Sequence, residues 1–162
     1  MLVFKTSELM KTTFNSFYFL LSKKMEKHGV NLMRIALAIV YIWFGALKIF
    51  GLSPAGDLVE KTVFWFRPEI FIPVLGICEV LIGLGLLIKR LIPITIFFLL
   101  MHMSATLFPF FILKSSCFDG FPYEPTLVGQ YIIKNIVLVS GALVISGKYN
   151  EAYYLERSLK KK

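Results

Sequence analysis

Four stretches of about twenty residues, each apolar on every side, dominate this chain of 162 residues. They run over about 31–51 (NLMRIALAIVYIWFGALKIFG), 70–88 (IFIPVLGICEVLIGLGLLI), 91–111 (LIPITIFFLLMHMSATLFPFF) and 127–146. A helix needs roughly 20 residues to cross about 30 Å of hydrocarbon. Inside that layer its backbone groups must be bonded within the segment itself. The predicted fold is therefore all-α, an integral membrane four-helix transmembrane bundle. Composition agrees: 57% of residues are hydrophobic and 17% charged, against about 45–50% and 25% in soluble domains. The chain divides into a cytoplasmic amphipathic segment at 1–30, the transmembrane domain at 31–147 and a basic cytoplasmic tail at 148–162.

A formal charge of +8 would suggest nucleic acid in a soluble protein. Here the basic residues gather where apolar runs end: Lys23, Lys24 and Lys27, then Lys89 and Arg90, then Lys148, Arg157 and Lys160 to Lys162. That pattern marks cytoplasmic loops and attracts anionic lipid head groups, so the lipid bilayer is the expected partner and nucleic acid is not. With four crossings, both termini and the Lys89–Arg90 turn fall on the cytoplasmic side of a multi-pass protein. The stretch FNSFYFLLS is too short to span, and no small-residue cleavage site follows it before Lys23. It reads as a helix on the cytoplasmic face, not as a signal peptide.

The Lys89–Arg90 connection predicts a tight hairpin of the second and third helices. Pro93 and Pro73 fit the first turns of their helices, where a missing N–H is tolerated. Pro125 is placed to start the fourth, and Pro109 to end or bend the third. DLVEKTVFWF reads as a short helix in the interface between the first two spans, with Trp65 in an aromatic belt. KSSCFDGFPYEP reads as a cap over the bundle mouth. Gly83 and Gly85, like Ala142 and Ser146, mark close helix packing. Cys78 and Cys117 form no metal-ligand cluster and are expected as two free thiols.

Each span also carries an ionisable residue: Arg34 and Lys48 in the first, Glu79 in the second, His102 in the third and Lys134 in the fourth. Such residues inside a membrane are functional candidates by default. A lone Glu79 carboxylate would be costly to bury, and Lys134 or Lys48 could each offset that cost. The expected pair is Glu79 with Lys134, about 10 Å into its helix at 1.5 Å per residue. The same pair could instead be a polar clasp that fixes helix register. His102 reads as a core histidine held by one hydrogen bond, to Ser104, Thr106 or a neighbouring helix carbonyl, and no metal site is expected. Arg34 reads as a cytoplasmic-end anchor that snorkels to phosphate.

The order of RIALAIVYIWFGALKIFG, GICEVLIGLGLLI, SATLFPF and GQYIIKNIVLVSGAL resembles the DoxX-like family of small four-helix bacterial membrane proteins, including its uncharacterised relatives, over about 31–146. The resemblance implies the bacterial inner membrane and a role as subunit or accessory of a quinone-linked redox assembly. It carries over Arg34, Gly45, Lys48, Glu79 and Lys134. Where relatives often have an aspartate after the helix-four lysine, this chain has Asn135. In that role redox subunits are partners, quinone binds between helices, and no permanent cofactor is implied. A small-solute or proton carrier, needing a homo-oligomer, and a non-catalytic membrane scaffold are the rival readings.

Overall fold

The computed structural model describes the backbone of residues 2–159 and the side chains of residues 15–150. Helix α1 (Leu2–Ile49) is followed by α2 (Gly56–Thr62), α3 (Pro68–Leu87), α4 (Ile92–Ala105), α5 (Phe108–Ile112) and α6 (Lys114–Cys117). A two-strand hairpin, β1 (Phe118–Gly120) and β2 (Glu124–Pro125), then leads into α7 (Leu127–Leu159). Four helical stretches are long and apolar enough to cross a membrane: Asn15–Ile49, Pro68–Leu87, Lys89–Ile112 and Leu127–Asn150. The chain is a multi-pass membrane protein on those grounds. Its outward faces match, since Leu81, Ile94, Phe97, Ile136 and Val137 are all exposed, as side chains that meet lipid should be.

The expected boundary at residue 30 is not a break in the backbone. One helix runs through it, because Gly29 alone weakens that stretch and a single glycine costs only about 1 kcal/mol. The same holds at residue 147, where α7 continues through the start of the basic tail. The side chains of Lys5, Lys11 and Arg157 lie outside the described residues, as do Lys160 to Lys162 altogether. At its other end α1 stops in a Schellman turn: Gly51 takes φ +70°, Leu52 N–H donates to Leu47 O at 2.8 Å and Gly51 N–H to Lys48 O at 3.3 Å. Only glycine adopts that left-handed conformation without strain.

Proline positions set three other boundaries. Pro68 opens α3 two residues before the expected start, so Pro73 sits inside the helix and not in its first turn. Pro93 opens α4 as expected, after a 3-10 turn at Lys89–Leu91 that closes the hairpin. Pro109 does break the third span. Its ring would meet the Ala105 carbonyl four residues back, and α4 ends at Ala105, with α5 restarting at Phe108. The fourth span is capped by Thr126 and not by Pro125. Its Oγ1 accepts from Gly129 N–H at 3.2 Å and donates to Ser116 O at 2.7 Å, the N-cap role suited to threonine.

The bundle core forms where α1, α3, α4 and α7 meet, with Leu86, Leu99, Ala142 and Ile145 almost wholly enclosed. Glycines set the closest approaches. A Cβ on Gly83 would lie 2.9 Å from Ala38 O, and one on Gly85 would collide with Thr95, so both pack as the sequence predicted. The short elements α2, α5, α6 and the hairpin gather at the end opposite the Lys89–Leu91 turn. They are folded structure: Thr62, Pro109 and Cys117 are buried in them, and Phe118 packs on Phe110 and Phe121. Cys117 and Cys78 are free thiols, and burial pushes the Cys117 thiol pKa up.

Candidate functional site

On α1 the residues Ala38, Tyr41, Gly45 and Lys48 recur every three or four positions, so they share one face, and all four are buried. On α3 the matching stripe is Gly76, Glu79, Gly83 and Leu86, also buried. The two stripes press together at the glycines. A Cβ on Gly45 would stand 2.5 Å from Gly76 O, and one on Gly76 would stand 2.9 Å from the Lys48 Cβ. The Lys48 stem therefore lies across the bare backbone of Gly76, and its head reaches Glu79 one turn further along α3.

There the ammonium meets both carboxylate oxygens. Lys48 Nζ donates to Glu79 Oε2 at 2.6 Å and to Oε1 at 2.9 Å. From α4, His102 Nε2 lies 3.0 Å from Glu79 Oε1. Since a carboxylate only accepts, Nε2 carries the hydrogen and donates. Lys48 and Glu79 are 8% and 5% exposed, so three helices are tied together by one buried ionic cluster. A single glutamate thus has its charge balanced by lysine and a further donor from histidine, which is what keeps a buried carboxylate tolerable.

Tyr41 completes the group. Its ring stands edge-on to His102, with centroids 5.7 Å apart and planes at 62°. Two polar atoms here find no hydrogen-bond partner among the described residues, Tyr41 Oη and His102 Nδ1, both buried. Buried polar atoms are nearly always paired.

The expected pairing of Glu79 with Lys134 is not formed. Lys134 is exposed, and its ammonium lies 4.9 Å from the centre of the Tyr131 ring, on its own helix. Helical side chains lean toward the N-terminus of their helix, so Lys134 can snorkel along α7 toward the nearer membrane surface. The inward neighbour is Asn135, whose Nδ2 donates to Thr106 Oγ1 at 3.0 Å and ties α7 to the end of α4. Asn135 shares its face of α7 with Ile132, Val139 and Ala142, which are buried or half-buried.

His102 is not held as expected either. Ser104 and Thr106 bond to Leu100 O and Met103 O on their own helix, and Glu79 takes the histidine. Arg34 lies two turns from Tyr41 on α1, half-buried, with its Nε enclosed and without a hydrogen-bond partner among the described residues. Among the described residues, no three His, Cys, Asp or Glu side chains converge as a metal site.

The difference between the two lysines is measurable. Lys134→Met is expected to change thermal stability in mild detergent by no more than about 0.5 kcal/mol, the usual range for substitutions that touch no buried feature. Lys48→Met is expected to lower it severalfold more.

The chain matches no known family pattern, no curated protein and no solved structure.

Proposed function

We propose that this chain is a DoxX-like protein of the bacterial inner membrane, a subunit or accessory of a quinone-linked redox assembly, with Lys48, Glu79 and His102 as its working site and Tyr41 beside them. One observation carries the reading: an ion pair, a histidine and two unpaired polar atoms converge from three helices inside the membrane-spanning region. A clasp that only fixed register would need one partner for Glu79. The extra donor and the open atoms go beyond that need.

The residues present suit a quinone or quinol head. Such a head group carries two oxygens that take up or release protons as it is reduced or oxidised. Tyr41 Oη and His102 Nδ1 are the atoms that would hold one of them, while His102 Nε2 stays on Glu79. In this reading both termini are cytoplasmic, and the basic residues near the Lys89–Leu91 turn sit among anionic head groups. Helix α2 and the turn that follows it lie in the opposite interface, which the exposed Phe64, Trp65 and Phe66 of that turn favour. A proton carrier is the second reading. It is favoured by the placing of Arg34, Tyr41 and Lys48 at seven-residue intervals on α1, each with a polar atom inside the protein.

The test is mild-detergent purification from native membranes, with mass spectrometry of extractable quinone and of co-purifying proteins. Stoichiometric quinone that is lost in Glu79→Gln supports the redox reading. A folded protein that carries neither quinone nor a redox subunit contradicts it and turns the weight to proton flux in reconstituted vesicles.

A further inference from the structure

We infer that the cluster is entered sideways from the bilayer, between α1 and α7, and that it takes the hydroxyl-bearing, quinol form of its ligand; this rests on the quinone-linked reading above. The entry argument starts from a stripe. Lys134, Leu138, Gly141 and Ile145 recur on α7 at spacings of four, three and four, so they share a face. Along its second half that face is closed against α1. Gly141 and Ile145 are buried, and a Cβ on Gly141 would touch Met33 and Leu37. Lys134, on the same line two turns earlier, is exposed.

The opposing helix repeats the pattern. Met33, Leu37, Val40 and Phe44 share a face of α1. Leu37 is 3% exposed where α7 packs on it, whereas Phe44 is 50% exposed. The two helices therefore meet near the Lys89–Leu91 turn and part toward the capped end. Over that half α7 packs through Ile132 and Asn135, and Asn135 is bonded to the α4–α5 joint. The sides of the gap are Phe44 on α1 with Tyr131 and Lys134 on α7. Behind it on α1, on the same turns as Phe44, stand Tyr41 and Lys48. The capped end itself is covered by α2, α5 and α6, so an amphiphile dissolved in the membrane has its open approach through this gap.

The head-group argument is one of donors and acceptors. His102 Nε2 donates to Glu79, whose charge Lys48 already balances. With the hydrogen on Nε2 alone, Nδ1 is an acceptor, while Tyr41 supplies a phenolic donor. By its donor and acceptor a hydroxyl suits both atoms, accepting from Tyr41 Oη and donating to His102 Nδ1. A quinone carbonyl satisfies Tyr41 alone and sets a lone pair against Nδ1, leaving a buried acceptor unmade.

The experiment uses the full chain in lipid nanodiscs and a benzoquinol whose alkyl tail carries a diazirine. After illumination, adducts are expected on residues 40–47 of α1 and 131–138 of α7, where the tail trails behind the bound head. Untagged short-chain benzoquinol should compete at a concentration about tenfold or more below that of its benzoquinone, the factor expected for one lost buried hydrogen bond. Tyr41→Phe should reduce the labelling yield while the protein keeps its elution profile. Saturable labelling that falls on the outer faces of α3 and α4, or equal competition by the two forms, overturns the inference and leaves the quinone-linked reading standing. Absence of saturable labelling in any form of the protein removes both.

Discussion

Glu79→Ala is expected to destabilise the protein by about 3–5 kcal/mol, the cost of leaving a buried charge without its partner. The mutant strands Lys48 beneath the short capping helices and strips His102 of the acceptor for its Nε2. Lys48→Met should cost a comparable amount, because the carboxylate would then depend on His102 alone. The double mutant is the informative member. With both charges gone, nothing ionic remains to be desolvated, and the loss should fall short of the sum of the singles by more than about 1 kcal/mol, as for groups in direct contact. The check is a double-mutant cycle on thermal or denaturant unfolding in one detergent. Additive losses would show that the two side chains do not meet.

Gly45→Val is expected to be the second large effect, at about 3 kcal/mol or more, the upper end for overpacking a tight core. Even an alanine methyl at this position would stand 2.5 Å from Gly76 O and 2.8 Å from Val80 Cγ2. A backbone carbonyl cannot turn aside as a flexible side chain can, so α1 and α3 must move apart. That motion also lifts Lys48 off Gly76 and draws it from Glu79, so quinone retention should fall with stability. Gly29→Ala is the control. Among the described residues nothing lies within 4 Å of a Cβ there, and the substitution should stabilise α1 by about 0.5–1 kcal/mol, the ordinary helical gain of alanine over glycine. Unfolding of the three proteins side by side measures both outcomes.

The spans were readable because membrane thickness fixes their length and hydrocarbon fixes their composition; no finer pattern was needed. The proline at 109 was readable for a similar reason, since its ring clash is local. The pairing inside the bundle was not. A helix that is apolar all round has no polar face to orient it, so nothing in GQYIIKNIVLV tells whether Lys134 or Asn135 points inward. That choice is made by tertiary packing: the contact of α6 with Gly129 and the bond from Asn135 to Thr106 set the rotation of α7. The choice of Lys48 was closer to legible. Gly45 and Lys48 lie on one face of α1, Gly76 and Glu79 on one face of α3, and two such pairs can lie against each other only where neither helix has a side chain in the way. His102 was misplaced because Ser104 and Thr106 are near in sequence, but each is satisfied by the turn before it on its own helix. Pro73 was assigned to a first turn because the apolar run begins at Ile70, whereas the helix begins at the polar Pro68–Glu69 pair.

The most direct test of the account is the ¹⁵N spectrum of the His102 imidazole in lipid bilayers, with His28 replaced by asparagine so that one histidine remains. The cluster predicts a protonated Nε2 whose resonance moves in Glu79→Gln and stays in place in Lys134→Met, together with an Nδ1 that shifts only when benzoquinol is added. A spectrum indifferent to Glu79, or one that responds to Lys134, would contradict it.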